Sequence, residues 1–342
     1  MDNTRVQFIL KRHPHYGGAY YGGMSSGLQN SARFVSEMLV KAGIESKVSV
    51  VQDNNDIDRE VSQYKPTHVI IEALWVVPEK FEILHRLHPQ IQWIIRTHSE
   101  VPFLALEGIA IDWIKRYTQY PNVSVAVNSL RTKRDLEGTL GINIAYLPNY
   151  YPLEFQTHDP DPSRTPGEIL IGCFGAIRPM KNQLLQAVAA MNYANNNGLT
   201  LYFFINTGRV EQGESVLKNL RALFEGTPHQ LEEIGWESHG GFLNTLAIMD
   251  LAMFVSFTET FSLASADAVS QGVPTITSSE VSWTWKAVQA NPTDAVDIER
   301  KISRALRYPW LTAAINQHKL KDYSKESRNI WLNYLGDDYG TE

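Results

Sequence analysis

The sequence predicts an α/β protein made of two doubly wound, parallel-sheet domains in tandem. Three observations carry this. Short apolar runs of strand length alternate with segments of helical periodicity along almost the whole chain. One stretch, PNYYPLEFQTHDPDPSRTPG at 148–167, interrupts the alternation with five prolines and few aliphatic residues, and reads as a linker. A chain of 342 residues also exceeds what one ordinary hydrophobic core organises.

The first domain, 1–150, opens with a strand at 6–10 and a glycine-rich loop. An amphipathic helix at 28–41 follows, stopped by Gly43. Strands are expected at 47–51, 69–71, 93–95, 123–127 and 144–147, with helices at 78–87, 103–117 and 130–140 between them. After the linker at 151–167 the second domain, 168–310, repeats the alternation. Its strands are expected at 169–174, 201–205, 231–235, 251–257 and 274–277, and its helices at 183–192, 216–224, 242–249, 265–271 and 295–306. A helical tail occupies 311–342, its helix read over about 311–334. Two such domains are expected to face one another across a cleft, with ligands held by the loops at the C-terminal ends of the strands.

Composition narrows the function. Hydrophobic content of 43% and charged content of 20% are those of a globular chain. No stretch is long and apolar enough to span a bilayer and the N-terminus lacks a signal-peptide pattern, so a cytoplasmic protein without a membrane span is expected. A single cysteine, Cys173, forms no internal disulfide and reads as a small buried hydrophobe. The net charge of -6 gives no sign of a strong polyanion binder, but it is uneven: residues 1–150 hold 16 Lys and Arg against 15 Asp and Glu, leaving the acid excess in the second half.

Four loops after predicted strands could carry chemistry. The first, KRHPHYGGAYYGGMSSG, matches neither GxGxxG nor GxxxxGK[ST], yet its glycines permit close backbone approach to a ligand. The second is Arg96-Thr97-His98-Ser99-Glu100, where His98 is presented at a strand end. The third, Gly175 to Asn182, places Arg178 and Lys181 at a strand-to-helix turn, an arrangement suited to a diphosphate. The fourth runs from Glu259 to Asp267, with seven small or apolar residues between the acids. A helix starting near Ser262 would aim the amides of Ser262, Leu263 and Ala264 at a phosphate, while the two carboxylates accept from hydroxyls. A diphosphate flanked by sugars satisfies all of these, which describes a nucleotide sugar.

Glu259, seven residues, Asp267-Ala268 and then Gly272-Val273-Pro274 resemble the signature of the retaining glycosyltransferases of the GT-B fold, the superfamily of glycogen and sucrose synthases, which reads Glu, Phe-Gly-Leu, Glu-Ala and later Gly-x-Pro. Gly175 to Lys181 is similar to that family's Gly-Arg-…-Pro-x-Lys turn, Pro148-Asn149 to its domain junction, Gly235 with 242–249 to the segment leading into the signature strand, and Asn291-Pro292-Thr293-Asp294 to its C-terminal pattern. The resemblance covers most of the chain. It implies two Rossmann-like domains, a tail helix that crosses back to the first domain, no metal and no cofactor, and a nucleotide-diphosphate sugar, UDP-linked, as the donor of a hexosyl- or pentosyltransferase. By the same resemblance Arg178 and Lys181 bind the diphosphate, Glu259 the donor sugar, Ser262 and Leu263 the phosphate and sugar, and Asp267 the ribose. Gly17 and Gly18 approach the diphosphate from the first domain, and His98 meets the transferred sugar. Three positions depart from the pattern: Asp267 replaces Glu, Ser262 replaces Gly and Ala176 replaces Arg.

The stretches SSGLQNSARFV, THVIIEALWVVPEKF and WIIRTHSEVPFLALEGIAIDWI resemble glycosyltransferases of large double-stranded DNA phages. That implies an acceptor of double-stranded DNA carrying 5-hydroxymethylpyrimidines, in a host cytoplasm. Tyr16, Tyr20 and Tyr21, near the glycine loop, could fill the stack a flipped base vacates or anchor the loop on the core, and the cluster Arg131, Lys133 and Arg134 is compatible with a polyanion acceptor or with a solvated helix face. A glycan or small-molecule acceptor is the alternative within the class, an epimerase the rival enzyme, and a non-catalytic nucleotide-sugar-binding module the rival outside it. Asp159-Pro160-Asp161 has the look of a metal-binding Asp-x-Asp but falls in the linker.

Overall fold

The structure, a computed structural model, describes residues 4–12, 26–157, 165–235 and 237–337. The chain divides into two compact units: Met1–Pro152 with Tyr323–Glu342, and Leu153–Asp322. Each contains one six-stranded sheet, and every strand pairing is parallel.

In the first unit β1 (Arg5–Lys11), α1 (Ser26–Lys41), β2 (Glu45–Val51), α2 (Asp56–Tyr64), β3 (His68–Glu72), α3 (Lys80–Leu87), β4 (Gln92–Thr97), α4 (Val101–Leu104), α5 (Ala110–Tyr117), β5 (Val123–Val127), α6 (Leu130–Leu140) and β6 (Ile144–Tyr146) follow in order. The sheet order is β2-β1-β3-β4-β5-β6. Strand alternation fills two cores. Ile9, Ile71, Ile95 and Val125 pack on one face with Phe81 and Ile114, while Phe8, Ile70, Ile94 and Ala126 pack on the other with Val35, Leu39 and Trp331. Burial on both faces explains why β3 reads as an unbroken apolar run rather than an alternating one.

The second unit runs β7 (Glu168–Gly172), a 3₁₀ turn (Pro179–Lys181), α7 (Gln183–Asn197), β8 (Thr200–Asn206), α8 (Glu214–Phe224), β9 (Gln230–Ile234), α9 (His239–Ala247), β10 (Leu251–Phe254), α10 (Leu263–Ser270), β11 (Thr275–Ser278), β12 (Gln289–Ala290) and α11 (Ala295–Arg307). Its sheet order is β12-β11-β10-β7-β8-β9. From β7 the chain builds outward through β8 and β9, then returns to add β10 on the other side. The boundary between β7 and β10 is therefore the topological switch point, where open parallel sheets hold their ligands. The last helix, α12 (Pro309–Asp337), contributes to both units. Asn316 bonds Trp285 N and Thr275 O in the second, and Trp331 Nε1 donates to Pro148 O in the first. No helix among the described residues is long and apolar enough to cross a membrane.

Several elements differ from the sequence expectation for physical reasons. Helix α2 was not expected, because only Ile57 and Val61 of its nine residues are buried apolar positions amid acids. The helix expected at 103–117 is two, α4 and α5, with Gly108 in the break. Strand β4 extends through Arg96 to Thr97, since Glu72 at the end of β3 supplies a buried counter-charge. Strand β10 ends at Phe254 rather than 257, because Phe257 N turns to bond Met180 O in the 3₁₀ turn. The proline-rich linker is partly tied down. Tyr151 is buried edge-on against Phe34, and Gln156 N bonds Ser270 O.

Candidate active site

Strand β7 ends at Gly172, and Gly175 turns the chain with φ 121°, a conformation only glycine adopts cheaply. Its N–H donates to Asn206 Oδ1 at 3.1 Å, tying the turn to the end of β8. Three buried amides fix the rest. Gln183 Nε2 donates to Ala176 O, Asn182 Nδ2 donates to Val255 O and Pro292 O, and Gln186 Oε1 accepts from Val255 N. Arg178 thus precedes and Lys181 ends a fixed 3₁₀ turn, each facing an acid from a different neighbouring loop. Arg178 Nη1 lies 3.2 Å from Glu211 Oε2 beyond β8. Lys181 Nζ pairs with Glu259 Oε2 beyond β10, across the switch point. These four side chains are between 14% and 25% exposed, so the pairs are shielded from water yet reachable.

The loop from Glu259 to α10 is equally constrained. Phe261 is fully buried against Trp283, whose Nε1 donates to Phe261 O at 2.8 Å. Ser262 then takes φ 61°, the left-handed region, and α10 begins at Leu263. The amides at this start have no acceptor within the helix, which makes them suited to an anion. Asp267 is buried on α10, and its Oδ1 accepts from His239 Nε2 at 2.9 Å. The structure therefore brings Arg178, Lys181, Glu259 and Ser262 into loops after β7 and β10 of one sheet, with Leu263 opening α10 and Asp267 one turn further along that helix.

Sequence reasoning missed Arg209, Glu211 and His239. Arg209 and Glu211 follow β8 in a strand-end loop, and that position was their available signal. His239 stands directly after Ser238, which caps α9 by accepting from Gly241 N, and nothing in the sequence ties it to Asp267.

In the first unit His98 follows β4 and joins a buried polar cluster. Arg96 and Glu72 are fully buried and paired, with Arg96 Nη1 3.0 Å from Glu72 Oε1. Arg96 also donates to Leu147 O and to Asn149 Oδ1. His98 Nε2 bonds Glu72 Oε2, and Asn128 Nδ2 lies 3.3 Å from His98 Nδ1. With Glu72 ionised, Nε2 carries the proton and Nδ1 accepts. Burial alone would raise the Glu72 carboxyl, but Arg96 and His98 together outweigh it and hold it below the ordinary carboxylate range. Burial, reinforced by Arg96, holds the His98 imidazole below its ordinary value despite Glu72, which favours the neutral ring.

The cationic trio of α6 is engaged within its own domain. Arg131 bonds Glu100, a buried carboxylate that also accepts from Ser129 and Thr132. Lys133 bonds Glu137 and Ile144 O, and the exposed Arg134 bonds Asp135. Tyr16, Gly17, Gly18, Tyr20, Tyr21, Asp159 and Asp161 lie outside the described residues. Among the described residues no group of His, Cys, Asp or Glu could hold a metal ion. Cys173 is buried, and burial pushes its thiol up to about 12, away from reactivity.

No protein-family model matches the chain. No curated protein matches it in sequence. Solved structures share its fold end to end. Sucrose-phosphate synthase from Thermosynechococcus elongatus superposes with a TM-score of 0.69 at 13% identity, over 98% of this chain and 99% of that one. Trehalose-6-phosphate synthase from Burkholderia multivorans gives 0.66 at 10%, over 98% and 97%. Anabaena HepE, solved with UDP and glucose, gives 0.65 at 12%, over 99% and 100%. The fold is GT-B, with two Rossmann-like parallel-sheet domains.

Proposed function

We propose that the protein is a retaining glycosyltransferase that moves a sugar from a UDP-linked donor to a hydroxyl acceptor. The observation that carries this is the convergence at the β7/β10 switch point. Two cations at a tight turn, the start of α10 and the carboxylate of Glu259 meet there, with Asp267 further along the same helix, a set that suits a nucleoside diphosphate sugar. The two-domain fold is shared with sucrose-phosphate synthase, trehalose-6-phosphate synthase and HepE, the last solved with UDP and glucose, which supports the donor class.

The mechanism follows from charge. Departure of the nucleoside diphosphate builds negative charge on its β-phosphate. Arg178, Lys181 and the amides at the start of α10 are placed to stabilise that charge as it develops. Glu259 and Asp267 accept from hydroxyls of the sugar and the ribose and so fix the donor's register. The acceptor hydroxyl attacks the face from which the diphosphate departs, which retains the anomeric configuration. Its proton passes to the leaving phosphate oxygen. The Lys181–Glu259 pair adds one requirement: the diphosphate must draw Lys181 from Glu259, which frees that carboxylate for the sugar.

The acceptor is a hydroxyl compound. Hydroxymethylpyrimidine DNA draws only on the sequence resemblance, since Arg131, Lys133 and Arg134 are engaged with acids of their own domain. The test incubates the protein with nucleotide sugars and an acceptor panel: DNA containing 5-hydroxymethylcytosine or 5-hydroxymethyluracil, free sugars, sugar phosphates and glycans. Adducts are weighed by mass spectrometry. Transfer to any member with retention supports the reading, and the member that reacts identifies the acceptor. Donor binding without transfer or donor hydrolysis marks a binding module, and conversion of the donor sugar without an acceptor marks an epimerase.

A further inference from the structure

The loop that follows β8 is built into the loop that follows β7. Ile177 and Val210 form an isolated parallel bridge. Ile177 N donates to Arg209 O and Glu211 N donates to Ile177 O, each at 2.9 Å. A Cβ on Gly213 would lie 2.1 Å from Ile177 O, so only glycine lets the second loop close on the first. The two loops are therefore one backbone body, and what one presents is held in register with the other.

On that body Glu211 joins two guanidiniums. Its Oε1 accepts from Arg209 Nε at 2.5 Å, and its Oε2 accepts from Arg178 Nη1 at 3.2 Å. Side-chain exposures of 25%, 19% and 23% for Arg178, Arg209 and Glu211 set this trio apart from a solvated surface pair. In the loops that follow β7, β8 and β10, residues 175–182, 207–213 and 255–262, three cations stand with two carboxylates. Guanidiniums suit planar, two-oxygen acceptors, and a phosphate offers the same fork as the Glu211 carboxylate.

We propose that Arg209 is a third cation of the donor site and contacts the diphosphate alongside Arg178 and Lys181, with Glu211 spacing the two guanidiniums. This rests on the donor-site reading above. It extends that site from the switch point onto the loop beyond β8.

The experiment is isothermal titration of the full chain with UDP and with uridine, for wild type, Arg209→Ala, Arg209→Lys, Arg178→Ala and the Arg178→Ala/Arg209→Ala pair. Arg209→Ala should weaken UDP at least tenfold and leave uridine unchanged, because only the phosphates are lost as partners. Arg209→Lys, which keeps charge but not the fork, should fall between and serves as the folded comparison if the alanine variant is unstable. Arg209→Ala should also weaken UDP in the Arg178→Ala background, which separates direct contact from support of Arg178. UDP affinity equal to wild type for Arg209→Ala and Arg209→Lys overturns the inference. So does an equal loss for uridine, or no effect in the Arg178→Ala background. Wild type that binds no nucleoside diphosphate overturns the donor-site reading itself, and the inference with it.

Discussion

Lys181 and Glu259 are 78 residues apart in sequence and paired in space. Each was legible singly, one at a strand-to-helix turn and one after an apolar strand. Their pairing was not, because it depends on β10 returning to the side of β7, which no local pattern encodes. Lys181→Ala would remove a cation from the departing diphosphate. It should cost about 2 to 4 kcal/mol of transition-state stabilisation in kcat/KM. Turnover at the wild-type level would remove Lys181 from the mechanism. Ser262 offers a second test. Its left-handed backbone strains any residue with a Cβ, and its side chain makes no capping bond. Relief of roughly 1 to 2 kcal/mol of strain, set against roughly 0.5 to 1 kcal/mol of added chain entropy in the unfolded state, favours Ser262→Gly. The urea midpoint should rise, and a lowered midpoint would mean that the serine hydroxyl stabilises the loop in a way the backbone argument misses.

At the scale of elements, the ends of β3 and β4 carry the clearest consequence. A buried Arg96 within a strand contradicts the usual apolar pattern, and the sequence reading therefore stopped β4 too early. Glu72, the residue that makes Arg96 tolerable, was read as an ordinary strand end. The same cluster makes stability depend on pH. Above the ordinary imidazole value of 6.5, His98 is neutral both folded and unfolded, and its contribution is intact. As pH falls through that value the unfolded chain takes up a proton that the folded chain refuses, so stability declines until the folded value is reached. Glu72, held below 4.5, acts in the same direction at lower pH. Urea unfolding between about pH 7 and about pH 5 should lose stability more steeply in wild type than in His98→Gln. Equal slopes would place the imidazole outside the buried cluster. Other elements were legible where the apolar period was strong, as in α1 and β5. They were not legible where it was thin, as in the two-residue β12 or the narrow stripe of α2.

For the whole molecule, the tandem α/β plan was legible because buried parallel strands are short, apolar and evenly spaced, and because prolines break the rhythm once. The double membership of the last helix came from the family resemblance alone, because the residues that bond it to each unit, Asn316 in one and Trp331 in the other, do not stand out in the sequence. The proposed donor site was legible as residue types at strand ends, whereas the pairing of Glu211 with Arg178 and of His239 with Asp267 required the sheet order. The central claim is that a nucleoside diphosphate binds at the C-terminal edge of β7 and β10. A crystal structure of the protein with UDP tests it most directly. The account predicts diphosphate oxygens within hydrogen-bond distance of Lys181 Nζ and of the amides at the start of α10, with the ribose on Asp267. UDP bound at any other strand edge, with the Lys181–Glu259 pair intact, would contradict it.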